Sequence, residues 1–325
     1  MNKRPIKIIM DTIEKLSLNL NGKTVLTEVG TGNYLYTPII PAIAGAKRVY
    51  AVAKNTKYGN AEETINKCRI ILNELNLNQV EFFIDTVPSA ELGNVEIITN
   101  SGNLRPINEN ILKFCSSKVV IPLMFEAWEF REEDLDIKYC KQNAIKVAGT
   151  WENHPDIKVF DYCGLLAMKM VFDANFEISG NSILVWSNDH FGEIISKKFE
   201  EERASVILSN DIEVFYNNLH ELDFLFICDY DESRIYFGNE GIFEIERIKK
   251  INPDIVFIHL FGNIDLDFCN NNKINISPLI NGSANVMTHT LGYVGLIPIL
   301  RLQVAGYKVA ENLIKNNYST LTQIL

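Results

Sequence analysis

Short runs of β-branched and aromatic residues alternate with stretches of helical periodicity along almost the whole chain. This alternation is typical of βαβ units that build a mostly parallel sheet, so it constrains the fold class to α/β. The pattern predicts strands at Thr24–Val29, Arg48–Ala53, Val80–Ile84, Val95–Thr99, Lys118–Pro122, Ile145–Ala148, Ile183–Trp186, Ala204–Leu208, Phe224–Cys228 and Asp254–His259.

The strand–helix pattern ends near residues 155–160 and then starts again. A chain of 325 residues suffices for two domains of about 100–200 residues each. We therefore predict two Rossmann-like domains with an interdomain cleft. The first, over 1–157, is a substrate domain, and the second, over 158–325, is of the nucleotide-binding type and includes the last helix. Pro298 fits the first turn of that helix.

The charge balance argues against some classes of partner. The chain has 31 Lys and Arg against 41 Asp and Glu, a net charge of −10. Nucleic acids and anionic membranes need a basic surface, so we expect neither as a partner.

No apolar run approaches the ~18 residues of a membrane span, and no signal peptide is recognised. The six cysteines lack a C-x-x-C pair and no H-x-x-x-H occurs, so we predict no metal site and a cytoplasmic location.

The first predicted strand runs through Glu28 into the glycine turn Gly30-Thr31-Gly32. Glycines let the backbone approach a ligand, and a helix N-terminus after such a turn attracts an anion. The segment resembles the first motif of S-adenosylmethionine methyltransferases, although Lys54 follows the second strand where that family usually has an acidic residue. The alternative interpretation is a strand-to-helix turn that merely needs glycine, because a G-x-G pattern alone is a weak motif.

The chain from about Asn108 to Asn316 resembles the D-isomer 2-hydroxyacid dehydrogenases. The resemblance rests on Asp134–Cys140 with Ile145–Ala148, on Gly192 after the strand 183–186, and on Met287–Tyr293, which is similar to a histidine segment of that family. It implies a nicotinamide cofactor, NAD or NADP, and an acid/base role for His289, which the family pairs with a carboxylate.

The same resemblance implies a cofactor site around the second domain's first strand. Only the third glycine of the dinucleotide fingerprint remains, and Asp189 would place unfavourable charge near a pyrophosphate. The family's substrate arginine has no counterpart in 259–263. A retained fold with a re-purposed site therefore stays open as an interpretation. The predicted cofactor-binding residues are Ser187, Asp189, His190, Gly192, Asn210 and Asp211.

Polar side chains also follow strands in the first half of the chain. Asn100 and Arg105 suit a carboxylate or phosphate, because Arg can bind such a group in a bidentate manner. Arg131 is the third predicted substrate-binding residue, and Glu126 and His154 are predicted acid/base residues beside His289. The alternative interpretation is that these side chains cap turns, take part in domain packing or are simply exposed to solvent.

The leading hypothesis is an oxidoreductase that transfers a hydride between a nicotinamide cofactor and a small anionic, carboxylate-bearing metabolite. The alternatives are an S-adenosylmethionine-dependent transferase that uses the Glu28–Gly32 loop and a non-catalytic Rossmann-like binding protein. We expect the loops 30–33, 100–105, 126–131, 150–154, 187–192 and 285–289 to converge on the cleft, because ligands bind at the carboxyl ends of strands. The apolar circumference of the last helix further suggests a homodimer.

Overall fold

The computed structural model describes residues 3–231, 233–284 and 286–325; Asn285, in the last of the predicted cleft loops, lies outside them. The chain forms two compact units. Unit 1 contains residues 3–159 and 296–325, and unit 2 contains residues 160–295. Both units are α/β with mostly parallel sheets, which confirms the predicted fold class.

The first segment of unit 1 alternates strands with helices as the sequence predicts. Helix α1 buries Ile6, Ile9 and Leu16 on one face, and helix α3 begins at Asn60, whose side chain accepts the Glu63 N–H. The elements are α1 (Lys3–Leu16), β1 (Thr24–Glu28), α2 (Ile39–Ile43), β2 (Arg48–Ala53), α3 (Ala61–Glu74), β3 (Val80–Ile84), α4 (Ser89–Leu92), β4 (Ile97–Ile98), α5 (Glu109–Leu112), β5 (Val120–Pro122), α6 (Ile137–Gln142) and β6 (Lys146–Thr150).

Unit 2 repeats the alternation and has a core rich in aromatic side chains, with Trp186, Phe215 and Phe257 fully buried. Its elements are α7 (Tyr162–Asp173), β7 (Ser182–Trp186), α8 (His190–Glu201), β8 (Ser205–Leu208), α9 (Ile212–Asn218), β9 (Phe224–Ile227), β10 (Ile235–Phe237), α10 (Ile245–Ile251), β11 (Val256–His259), β12 (Asn263–Ile264), α11 (Leu266–Asn271) and β13 (Asn275–Ser277).

The chain ends with α12 (Leu296–Lys315) and β14 (Thr322–Ile324), and both belong to unit 1. The predicted boundaries placed these residues in the second domain, whereas α12 packs against α1, β5 and β6. Its apolar circumference, including Leu300, Val304 and Val309, is buried there. An apolar helix must bury its surface, and the sequence does not say against which sheet.

The two sheets have different strand orders. The sheet of unit 1 runs β3-β2-β1-β4-β5-β6-β14, which is the Rossmann order extended by the antiparallel edge strand β14. The sheet of unit 2 runs β8-β7-β9-β11-β13, the flavodoxin-like order, beside the short parallel pair β10 and β12. The strand order therefore reverses between β1 and β4 in unit 1 and between β7 and β9 in unit 2.

Candidate functional site

A cavity of about 500 Å³ lies in unit 1 at the carboxyl ends of β1 and β4, where the strand order reverses. Ligands of α/β sheets bind at this position, and cavities of roughly 300–1,000 Å³ hold small molecules. Helix α12 contributes three lining residues. The lining residues are Glu28, Val29, Gly30, Thr31, Tyr34, Thr37, Lys54, Thr56, Tyr58, Thr64, Asn100, Ser101, Gly102, Asn103, Arg105, Met124, Phe125, Ile299, Leu302 and Gln303.

The glycine turn forms one wall of this cavity. A Cβ on Gly30 would lie 2.8 Å from the Cβ of Tyr34, and Gly32 has a φ of +60°, so both positions favour glycine. The turn leads into a 3₁₀-helix, Gly32–Tyr36, and then into the five-residue α2. The turn is thus followed by two short helical pieces.

Glu28 is buried at the end of β1. Its Oε2 accepts the N–H of Asn103 at 2.9 Å, and the Asn103 side-chain amide donates to the carbonyls of Val29 and Val52. Burial raises the pKa of Glu28, while the Asn103 N–H and the positive charge of Arg105 oppose that rise. Glu28 therefore ties β1 to the loop after β4.

Arg105 is fixed beside the cavity by contacts within unit 1. Its Nε–H donates to Asn100 Oδ1 and its Nη2–H to the Asn100 carbonyl, both at 2.9 Å. Nη1 lies 3.1 Å from Asp134 Oδ2, and the guanidinium lies 5.4 Å from the ring centre of Phe125. Burial lowers the pKa of Arg105 despite the charge of Asp134. The predicted neighbours Asn100 and Arg105 are thus brought together at one cavity.

Several buried polar atoms of the lining residues have no hydrogen-bond partner among the described residues. They are the Thr37 hydroxyl, the Asn100 Nδ2 and both polar atoms of the Gln303 amide. These three residues are at most 5% exposed. Buried polar groups are normally paired, so their clustering around one cavity indicates a polar ligand. Gln303 was not among the predicted site residues. The sequence signal that could have identified it is its position as a polar residue within an apolar helix.

A second cavity of about 300 Å³ shares Lys54, Asn103 and Arg105 with the first. It lies beyond the carboxyl ends of β2 and β3, where Asp85 and Val87 contribute to its wall. Lys54, Asn103 and Arg105 therefore lie between the 500 Å³ cavity and the 300 Å³ cavity.

Glu126, His154 and Arg131 do not line either cavity. Glu126 is buried and accepts the Trp128 Nε1–H at 2.5 Å and the Glu152 N–H at 2.8 Å. His154 Nδ1 accepts the Asp156 N–H at 3.2 Å, and Arg131 is exposed. In unit 1 these side chains make local structural contacts.

Glu126 lies in a group of three carboxyl groups in which Glu126 and Glu152 are buried and Glu129 is half-buried. Burial, together with the neighbouring Glu126, raises the pKa of Glu129 to about 7, although the Glu126 N–H and the charge of Arg131 lower it. Burial and the charges of Glu129 and Glu126 raise the pKa of Glu152 as well. Burial therefore favours the protonated forms of Glu129 and Glu152.

In unit 2, the predicted cofactor residues Ser187, Asp189 and Gly192 lie together after β7. Asp189 Oδ1 accepts the N–H groups of Phe191 and Gly192 at 2.8 and 3.3 Å, and Ser187 Oγ donates to the same oxygen at 2.8 Å. Asp189 Oδ2 accepts the Tyr230 N–H at 3.1 Å. The Asp189 carboxylate thus caps helix α8 and joins it to the loop after β9.

The other predicted cofactor residues are dispersed around this turn. His190 is exposed and lies 3.1 Å from Glu193, and Asp211 caps α9 by accepting the Glu213 N–H at 2.8 Å. The Asn210 amide lies 3.4 Å from Asp229 Oδ2. Asn210 and Asp229 therefore connect the loops after β8 and β9.

His289 lies elsewhere in unit 2, in a cluster with Tyr293, Lys169 and Asp173. Its ring centre is 4.4 Å from that of Tyr293, and the Tyr293 hydroxyl donates to Asp173 Oδ2 at 2.6 Å. Lys169 Nζ lies 3.7 Å from the Tyr293 ring centre. Burial lowers the pKa of His289, and the charge of Asp173 opposes this. Burial therefore favours its neutral imidazole.

Residues 3–231, 233–284 and 286–325 contain no group of three or more His, Cys, Asp or Glu side chains that could hold a metal ion. Over the same residues, no helix is long and apolar enough to cross a membrane.

Comparison with known proteins identifies similar folds and no sequence relative. No protein-family model matches the chain, and no curated protein matches its sequence. A dipicolinate synthase structure from Bacillus halodurans has a TM-score of 0.57 and 13% identity, over 93% of this chain and 99% of that one. A dipicolinate synthase structure from Bacillus subtilis has a TM-score of 0.54 and 11% identity, over 93% and 100%.

A phosphoglycerate oxidoreductase from Vibrio cholerae o395 is more distant, with a TM-score of 0.47 and 12% identity over 91% of this chain and 98% of that one. At these identities the two dipicolinate synthase structures show the fold alone. The predicted α/β fold class is confirmed at that level. The chain has the two-domain α/β fold that these dipicolinate synthase structures share.

Proposed function

We propose that the protein is an oxidoreductase that transfers a hydride between a nicotinamide cofactor and a small carboxylate-bearing metabolite. The observation that carries the proposal is the 500 Å³ cavity of unit 1, where two cations, Lys54 and Arg105, meet unpaired buried polar atoms. The strand order of the unit 1 sheet, which is that of dinucleotide-binding sheets, supports a nicotinamide cofactor.

The cavity suits a ligand with one anionic end. Arg105 is held rigidly by Asn100, so little side-chain entropy is lost when it binds a carboxylate. Val29, Met124 and Leu302 provide apolar surface for the rest of the molecule. The Gln303 amide adds a donor and an acceptor for a polar substituent.

The nicotinamide cofactor also needs a binding site in the protein. In unit 2 the N–H groups at the start of α8 are already taken by Asp189, so the residues there do not fit a pyrophosphate. The two adjoining cavities of unit 1 have room for a nucleotide next to the metabolite, with Lys54 and Arg105 between them. A nicotinamide bound there would supply or accept the hydride.

His289 of unit 2 stays the predicted acid/base residue of this proposal. Burial favours its neutral imidazole, its Nδ1 has no hydrogen-bond partner among the described residues, and Asp173 and Tyr293 hold its surroundings in place. His154 and Glu126 remain predicted acid/base residues, although their structural contacts favour a supporting role.

Calorimetric titration with NADH and NADPH, followed by a panel of 2-oxo acids in an absorbance assay, tests the proposal. We expect one reduced cofactor to bind and to be oxidised by a carboxylate substrate. Arg105→Ala and Gln303→Leu should weaken binding, whereas Arg69→Ala, an exposed arginine of α3, should not. Failure of both reduced cofactors to bind would contradict the proposal.

A second candidate is an S-adenosylmethionine-dependent transferase. The specific observation in its favour is that Glu28, Gly30 and Thr31 line a cavity at the β1/β4 reversal. Titration with S-adenosylhomocysteine separates the two candidates, because binding of this ligand alone, lost in Gln303→Leu, would favour the transferase.

A cytoplasmic location and a homodimer stay predictions. The burial of α12 within unit 1 already accounts for the apolar residues that suggested a dimer. Light scattering of the purified protein tests the dimer, and a monomeric mass would contradict it.

A further inference from the structure

We infer that Asp189 is a built-in anion, which occupies the position of a cofactor phosphate in unit 2, so that this edge of the sheet does not receive a dinucleotide. The inference concerns unit 2 alone and does not depend on the reaction proposed above.

The first argument is the position of the carboxylate. Dinucleotides of Rossmann-type sheets place their pyrophosphate at a helix N-terminus where the strand order reverses. In unit 2 this is the start of α8, between β7 and β9. Asp189 accepts two N–H groups of α8 and the Tyr230 N–H from the loop after β9, so it makes the contacts that a bridging phosphate would make.

The second argument is steric. A phosphate approaches the backbone closely only where glycines replace side chains. Here Ser187 stands at the first fingerprint position and donates to Asp189 Oδ1. A Cβ on Gly192 would lie 2.5 Å from the Ser187 Cβ, so side-chain atoms already fill the turn. Gly192 serves this packing, and the Asp189 carboxylate occupies the remaining space at the helix N-terminus.

The third argument is electrostatic. The loop after β9 carries Asp229 and Asp231, and Arg234 pairs with both, at 3.8 and 3.1 Å. One cation is thus shared between two carboxylates, with Asp189 as a third nearby anion. A pyrophosphate would enter a site whose charge is already negative, which opposes its binding.

Hydrogen exchange measured by mass spectrometry on the full-length protein tests the inference, with inorganic pyrophosphate as the probe. In the wild-type protein we expect pyrophosphate to leave the exchange of the 189–193 and 228–231 amides unchanged. In Asp189→Ala these amides should exchange faster, and pyrophosphate should slow them again by about tenfold, since it refills the anion position. Asp265→Ala, which removes the aspartate cap of α11, is the matched control and should not respond.

Two results would overturn the inference. One is protection of the same wild-type amides by pyrophosphate or NADH, and the other is an Asp189→Ala protein that pyrophosphate does not protect. If Asp189→Ala fails to fold, Asp189→Asn keeps an acceptor oxygen without the charge and should show the same pattern more weakly. Binding of NADH in the unit 1 cavities is a separate measurement, so failure of the proposed function is recognised independently.

Discussion

The two units contain buried titratable groups whose effects on stability have opposite pH dependence. In unit 1, burial raises the pKa of Glu129 to about 7. In unit 2, His259 is fully buried and its Nε2 lies 3.0 Å from the carbonyl of Pro278, and burial lowers its pKa to about 4. We therefore predict that the units respond in opposite directions to a change between pH 4.5 and pH 7.

The sign for unit 1 follows from proton binding. Between pH 4.5 and about 7 the folded state keeps the Glu129 proton, whereas the unfolded state has lost it. The free energy of unfolding therefore falls as pH rises through this window. At 1.36 kcal/mol for each pKa unit, the loss is at most about 3 kcal/mol.

The sign for unit 2 is reversed. Between pH 4 and 6.5 the unfolded state binds a proton on His259 that the folded state excludes. The free energy of unfolding of unit 2 therefore rises with pH up to about 6.5, again by about 3 kcal/mol. A measurement on the whole protein would see the two trends largely cancel.

Hydrogen exchange in urea, followed by mass spectrometry of peptides from each unit, resolves the two trends. Exchange rates at each pH are first corrected for intrinsic chemistry with unfolded peptides. Glu129→Gln should reduce the trend in unit 1 only, because the amide keeps the Glu126 N–H contact without titrating, while Glu152 still titrates. His259→Gln should flatten the trend in unit 2 only. Parallel trends in the two units, or either variant acting on the wrong unit, would refute the reasoning.

Further predictions concern packing and the site. Gly192→Ala should lower the free energy of unfolding by about 1–3 kcal/mol in urea titrations, because the new Cβ meets Ser187. Tyr307→Phe should cost about 1–3 kcal/mol in the same assay, since the buried Thr37 carbonyl loses its 2.9 Å donor. Arg105→Ala should weaken binding of an anionic ligand by about 2–5 kcal/mol in calorimetry. His289→Ala should lower turnover roughly 10²–10⁴-fold with little change in KM.

The sequence predicts most of the strands because local composition decides them. Val49–Val52 is an apolar run within β2, and the structure buries it completely in the middle of a parallel sheet. The short pieces β10, β12, β13 and β14 were not predicted. Strands of two or three residues have too little periodicity to be distinguished from a loop in the sequence. Strand β14, for example, is determined by its tertiary pairing with β6.

The site was harder to predict than the fold. Asn100 and Arg105 were found because a polar loop after a parallel strand indicates a ligand position. Gln303 was missed because α12 lies far along the chain, and nothing local places it beside β1. Asp189 was recognised as unfavourable for a pyrophosphate, but only the structure gives the three N–H groups that it accepts.

Helix α12 and strand β14 complete unit 1 only after all of unit 2 has been translated. Synthesis of the residues between 159 and 325 takes about ten to thirty seconds at about 5–20 residues per second. During that interval unit 2, which is one continuous segment, has its whole sequence available, whereas the first 159 residues lack the helix that covers β5 and β6. The nascent N-terminal segment therefore exposes an apolar surface that chaperones can bind. If translation terminates after residue 295, unit 2 has its whole sequence and can fold. It then stays attached to a unit 1 segment that lacks α12 and β14 and is prone to aggregate.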